Sequence, residues 1–181
     1  DVIVEAANPG VWPIVIAAIE GNAPPGRAVL RYTDAAATAL SEGVPEGLRG
    51  GYQLDYQDLQ SLEALPVGQP DRVFDLMLSG GMMGSAWTIN GQAYPSADPL
   101  MINEGEHIRF RMRNHSMMLH PMHLHGHFFR VGNVLKDTVL VAAHMGRAEF
   151  DFVADNPGRW FFHCHNIYHM EAGMTREVRY T

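Results

Sequence analysis

Polar and apolar residues alternate strictly in the second half of the chain. In "HIRFRMRN" (107–114), His107, Arg109, Arg111 and Arg113 interleave with Ile108, Phe110 and Met112. That is the period-two pattern of a strand with one buried and one solvated face. Short runs rich in β-branched and aromatic residues recur from residue 72 onward: "RVFDLML", "AWTING", "HLHGHFFRV", "DTVLV", "AEFDFV", "RWFFHCH" and "TREVRY". Their length and spacing predict an all-β sandwich. Residues 34–70 are rich in Ala, Gly and Pro, lack this pattern and read as a connection. Within them "YQLDYQDLQSLEAL" (52–65) predicts a short helix.

A turn followed by a strand occurs twice. "VEAANPGVWPIVIA" (4–17) aligns with "FVADNPGRWFFHCH" (152–165) when Asn8 is set on Asn156, which also matches Trp12 with Trp160. Asn-Pro-Gly supplies the turn chemistry in both copies. In this register Val15, Ile16 and Ala17 take the places of His163, Cys164 and His165, so the first copy has the strand without the chemistry. The second copy stands near the end of a domain, and the first is expected to do the same. Residues 1–33, finishing at "RAVLRY", are therefore expected to close a preceding domain. Residues 34–70 would form an interdomain connection and residues 71–181 a C-terminal domain. The chain of 181 residues is read as a piece of a longer one.

Charge and composition narrow the chemistry. Twenty acidic against thirteen basic residues give a formal net charge of −7, with no Lys/Arg block, which argues against nucleic-acid binding. No apolar run approaches the length of a membrane span. The single cysteine excludes an intrachain disulfide and leaves one thiol, Cys164, set between His163 and His165. On a strand those two histidines point one way and Cys164 the other, so one short strand can serve two metal centres. Thiolate, two imidazoles and a weak thioether are the set that holds blue copper. Cys164, His169 and Met174 follow one another at steps of five, and His120 from a neighbouring strand can complete that set. The pairs His123/His125 and His163/His165 are all-imidazole ligands suited to copper that meets dioxygen.

"WTINGQAYP", "HPMHLHGH", "KDTV", "DNPGRWFFHCH" and the His-x4-Met ending together resemble the C-terminal part of a three-domain multicopper oxidase. The laccase-like group with this pattern includes bacterial copper-tolerance oxidases. The resemblance spans most of residues 72–181, and residues 1–33 resemble the end of the family's copper-free middle domain. It implies a cupredoxin-like Greek-key β-sandwich, preceded by the closing strands of another cupredoxin domain. It further implies that His120, Cys164 and His169 bind a type 1 copper with Met174 as axial ligand. His123 would bind type 2 copper, and His125, His163 and His165 the type 3 pair. The family's trinuclear cluster uses eight histidines, of which this chain matches four; the others belong to a first domain outside it. The implied activity is one-electron oxidation of a small reductant, coupled through Cys164, His163 and His165 to reduction of dioxygen to water by four coppers in all. His120 and His169 are expected to include a surface-facing imidazole. Phenols, Cu(I), Fe(II) and Mn(II) all stand as reductants, and the implied location is periplasmic or secreted.

Other readings compete. A blue-copper electron carrier needs only His120, Cys164, His169 and Met174 and leaves four histidines idle. In a copper nitrite reductase the second histidine of "HCH" is unexpected, and a zinc hydrolase with HxHxDH would need an aspartate where Gly126 stands. A two-domain laccase would carry His-x-His at Val15–Ala17. Of the remaining histidines, His107 and His144 are expected to be exposed and His115 to lie at a turn; His127 shares the alternating face of His125 and is read as structural, with support of His125 from behind as the alternative. Met170 competes with Met174 as axial ligand but directly follows His169. The other methionines, Met82, Met83, Met117, Met118 and Met122 among them, suit adaptable packing or a Cu(I) substrate.

Overall fold

The computed structural model describes residues 4–18, 22–34, 44–52, 54–62, 68–81 and 86–181. They fall into two compact units, residues 1–53 and 54–181. In the first unit β1 (Val11–Ile16) and β2 (Gly26–Arg31) form an antiparallel hairpin, followed by the single helical turn α1 (Gly47–Gly50). No side chain of this hairpin is fully buried, and Trp12, Ile14, Ile16 and Val29 are exposed.

The second unit is a sandwich of two sheets. Its elements are β3 (Arg72–Ser79), β4 (Thr88–Ile89), β5 (Leu100–Ile102), β6 (His107–Asn114), β7 (His120–Leu124), β8 (Phe129–Val131), β9 (Val134–Lys136), β10 (Thr138–Val141), β11 (Arg147–Val153), β12 (Arg159–Cys164), α2 (Ile167–Glu171) and β13 (Thr175–Tyr180). One sheet runs β4-β3-β6-β11-β8-β9 and the other β10-β7-β12-β13-β5. The alternation in β6 is realised: Ile108, Phe110, Met112 and Asn114 are buried, while Arg111 and Arg113 face solvent. Phe110 meets Phe150, Phe152 and Phe162 at ring separations of 5.1–5.4 Å, joining the two sheets. Burial of a phenylalanine side chain contributes about 2 kcal/mol, so this cluster anchors the sandwich. On the outer face Asp151 is buried under Arg109, with bonds of 2.6 and 2.8 Å, and under Arg130. Burial alone would raise its carboxyl, but the two guanidinium groups hold it below the usual carboxylate value.

The repeated sequence has a repeated local structure. Trp12 Nε1 donates to the Asn8 carbonyl at 2.8 Å, and Trp160 Nε1 donates to the Asn156 carbonyl at 2.7 Å. Tyr32 N donates to the Gly10 carbonyl as Tyr180 N does to that of Gly158, at 3.0 and 3.2 Å. Each copy opens an antiparallel hairpin, β1–β2 and β12–β13.

Other expectations need correction. Within 52–65 the described residues form only a 3-10 turn, Tyr56–Asp58, because the Asp55 carboxylate caps Gln57 N while Asp58 reaches back to Asp55 N. Residues 53 and 63–65 lie outside the described residues. "AWTING" yields just the two-residue β4, and "HLHGHFFRV" is split between β7 and β8. Gly126 causes the split, with φ of +71° and the Trp160 ring lying against its Cα. A Cβ there would stand 2.5 Å from the indole. Gly126→Ala should therefore destabilise the sandwich by about 2 kcal/mol or more, from left-handed strain plus overlap. Denaturant unfolding tests this, and an unchanged midpoint would refute it. Among the described residues no helix is long and apolar enough to cross a membrane.

Candidate metal centre

β7 and β12 lie side by side and antiparallel, with His163 opposite His123 and Cys164 opposite Met122. Period two then sorts their side chains. His120, Met122 and Cys164 turn inward, and His123 and His163 turn to the other face. The chain after β12 folds back through α2, whose first turn is capped by the Asn166 side chain accepting from Tyr168 N. This brings His169 to the inward cluster. Cys164 N donates to the Met174 carbonyl at 3.1 Å, and Met174 N donates to the His169 carbonyl at 2.9 Å, which closes the loop.

Cys164 Sγ lies 3.6 Å from His120 Nδ1 and 3.5 Å from His169 Nδ1, and the two nitrogens are 3.1 Å apart. Cys164, His120, His169 and Met174 are all fully buried. Donors held roughly 2.0–2.3 Å from one ion at tetrahedral or trigonal angles stand about 3.3–3.7 Å apart, so sulfur and nitrogens fit one coordination sphere. Ser116 sets the tautomer of His120. Its hydroxyl donates to the Met118 carbonyl at 3.1 Å, leaving the oxygen to accept from His120 Nε2–H at 2.8 Å and His120 Nδ1 to present a lone pair. Burial, with the neighbouring His169, pushes His120 down to about 4, and burial lowers His169 too. The thiol is pushed up to about 11 by burial. Neutral imidazoles beside a thiol that ionises only with a cation at hand form a set suited to a soft metal ion.

The expected surface-facing imidazole is not found. Trp87 lies over His169 with ring centroids 3.9 Å apart and meets His120 edge-on at 5.2 Å. His169 Nε2 is buried beneath it with no hydrogen-bond partner among the described residues. Neither Trp87 nor Ser116 was foreseen from sequence.

On the opposite face His123, His125 and His163 converge, their ligand atoms all within 4.8 Å. A carbonyl only accepts, so His123 Nδ1 donates to the Asp137 carbonyl at 2.7 Å and His163 Nδ1 to that of Cys164 at 2.9 Å. Their Nε2 atoms are thereby freed as ligands. His125 Nε2 lies 2.9 Å from His163 Nε2. Burial lowers both His125 and His163, assisted by the surrounding histidines. His165 is exposed and stands farther off, its ring 5.6 Å from His123 and 6.0 Å from His163. All four line a cavity of about 590 Å³ that Met170 also borders, which sets Met170 apart from the Cys164 cluster.

His127 is buried behind His125. Its Nδ1 donates to the His125 carbonyl at 3.1 Å, and its Nε2 accepts from the Tyr180 hydroxyl at 2.6 Å. His144 is exposed at a turn with φ of +54°. His107, expected to be exposed, is half-buried with Nε2 3.5 Å from Asp151. Met82 and Met83 lie outside the described residues.

Comparison with known proteins agrees with this chemistry. The sequence profile described as multicopper oxidase matches residues 69–181. Copper resistance protein A of Escherichia coli is 42% identical over 142 residues, covering 74% of this chain and 23% of that protein. The multicopper oxidase MmcO of Mycobacterium tuberculosis is 36% identical over 189 residues, covering 99% of this chain and 36% of its own length. The chain thus spans about a quarter to a third of these relatives. The crystal structure of Fet3p, a multicopper oxidase that functions in iron import, matches at a TM-score of 0.65 with 20% identity over 86% of this chain and 40% of that one, which shows the shared cupredoxin-like fold. A buried Cys/His/His cluster backed by a second, all-histidine cluster, in a region matched throughout by the family profile, has one reading: the chain belongs to the multicopper oxidase family.

Proposed function

We propose that this chain is the C-terminal, blue-copper part of an oxidase that takes single electrons from a small reductant and reduces dioxygen to water. The observation that carries this reading is the pair of clusters on opposite faces of β12, three donors on one and three imidazoles on the other. His120, Cys164 and His169 would hold the type 1 copper with Met174 as axial ligand. His123 would hold type 2 copper, and His125, His163 and His165 would contribute half of the ligands of a type 3 pair. The other half of the cluster would come from histidines outside these 181 residues, with residues 1–33 closing a copper-free domain of the same protein. Copper, when bound, supplies one-electron redox chemistry at the Cys164 face and dioxygen reduction at the histidine face.

The chain's own residues prepare both faces. Ser116 keeps His120 Nδ1 unprotonated and aimed at the thiol. Trp87 covers His169, and Met174, whose backbone bonds fasten it to Cys164 and His169, would supply a weak thioether from this loop. Cys164 is joined to His163 by one peptide unit and by the bond from His163 Nδ1–H to its carbonyl, and to His165 by another peptide unit. The two donor sets are thus linked within three residues. Tyr180 and His127 brace the turn that carries His125. The reductant stays open between phenols and low-valent metal ions such as Cu(I). A periplasmic or secreted location goes with this reading, and cell fractionation tests it.

Copper analysis together with oxygen uptake on the full-length protein tests the function. Four coppers and sustained uptake are expected; one copper without uptake would leave only the electron-carrier reading. Met174→Leu should keep the intense visible absorption, since three strong ligands remain, and raise the reduction potential by removing thioether donation. Electrochemical titration checks this. An unchanged potential, with Met170→Leu shifting it instead, would reassign the axial ligand.

A further inference from the structure

The outer face of the six-stranded sheet carries a regular ladder of charge that breaks at one end. Arg109 of β6 stands opposite Asp151 of β11, and Arg111 stands opposite Glu149. Both arginines are paired: Arg109 grips Asp151, and Arg111 makes two 2.8 Å bonds to Asp75 of β3. At the next position along β6 the pattern inverts. Arg113 lies directly opposite Arg147 on one side and Met77 on the other. Neither Arg113 nor Arg147 makes an ion pair or a side-chain hydrogen bond to any described residue, and both are exposed. Like charges set directly opposite in an antiparallel pair are destabilising, so this position disfavours the fold unless something neutralises it.

The two arginines do not stand on a flat surface. With His115 they line a groove of about 580 Å³ in which Asp75, the only carboxylate among the described lining residues, is already committed to Arg111. The Asn90 amide, also in the lining, is spent on backbone, accepting from Met77 N and donating to the Asp75 carbonyl. The groove is therefore a concave cationic site in an acidic protein, with two free guanidinium groups whose planar donors suit an oxyanion. His115 is fastened at its rim by the bond from His115 N to the Leu78 carbonyl at 2.8 Å. The next residue is Ser116, which bonds His120.

We propose that Arg113, Arg147 and His115 form a binding site for the carboxylate or other oxyanion group of a small ligand. The groove is separate from both histidine clusters, and its anion binding does not depend on the oxidase reading. A further consequence does rest on that reading. Because the rim of the groove is one peptide unit and one hydrogen bond from His120, the site favours reductants that carry an anionic group.

Two arms test the proposal on the full-length protein. In the first, inorganic phosphate is titrated calorimetrically at moderate ionic strength. Saturable one-to-one binding is expected, weakened about tenfold or more by Arg113→Gln or Arg147→Gln and abolished by the double variant. Arg159→Gln, which alters an arginine paired with Glu177 on the other sheet and outside the groove, should bind phosphate as the unsubstituted protein does. Removing one of two facing like charges should leave folding intact, and circular dichroism verifies this. In the second arm a phenol bearing a carboxylate is compared with its neutral methyl ester. The double variant should raise KM for the acid about tenfold more than for the ester. Absence of saturable phosphate binding, or equal loss in all three arginine variants, would overturn the site. Phosphate binding that behaves as expected in a protein that consumes no oxygen with either phenol or with Cu(I) would instead overturn the oxidase reading and leave the groove standing.

Discussion

Cys164→Ser is expected to abolish the intense visible absorption of the copper-loaded protein and its oxygen consumption together. Cys164 is the sole thiol in the chain, and its sulfur is the atom on which His120 and His169 converge. Burial that pushes this thiol up to about 11 means that, at neutral pH, the thiolate forms only when a metal replaces the proton. A serine hydroxyl in the same dry site ionises far less readily and offers a hard oxygen where a soft donor is needed. The fold should survive, since the change exchanges sulfur for oxygen at one buried position at a cost of about 1–3 kcal/mol. Absorption spectroscopy, copper analysis and oxygen uptake on the folded variant test this. A variant that kept its blue colour would remove Cys164 from the site.

The residues that the sequence made legible are those governed by local periodicity. His163 and Cys164 go to opposite faces because successive strand residues must, and "HIRFRMRN" buries its apolar half for the same reason. Where one residue overrides the period, the reading fails: Gly126, left-handed against Trp160, ends β7 and turns the chain before β8. The expected helix in 52–65 gives way to a capped 3-10 turn at Asp55–Asp58, with Tyr56 beneath the Lys136 ammonium at 4.9 Å. Trp87 and the burial of both His120 and His169 were illegible for another reason. Trp87 lies more than thirty residues before His120 and more than eighty before His169, and only the packing of the two sheets brings its ring to them. His165 shows the limit of the spacing argument, because "HCH" sets its direction but not its distance from the other histidines.

Expressed as these 181 residues alone, the protein is expected to bind a blue copper but not to sustain the reduction of dioxygen. The sandwich formed by residues 54–181 has its own continuous core, and the Cys164, His120, His169 and Met174 donors are all buried within it. Nothing further is needed to assemble that site. The opposite face differs. His123, His125 and His163 converge on a cavity that also holds the exposed His165, and on the proposed reading these four imidazoles would be half of the cluster's ligands. Copper there would have too few protein ligands and an open, wet coordination sphere, without the enclosed cavity that controls metal chemistry. The β1–β2 hairpin, with Trp12, Ile14, Ile16 and Val29 exposed, would also present bare apolar surface and reduce solubility. Co-expression with the N-terminal portion, fused or as a separate chain, should restore trinuclear copper and turnover together. Copper analysis and oxygen uptake on the purified 181-residue chain decide the matter. Four coppers with sustained turnover and no added partner would refute both the shared cluster and the roles assigned to the four histidines.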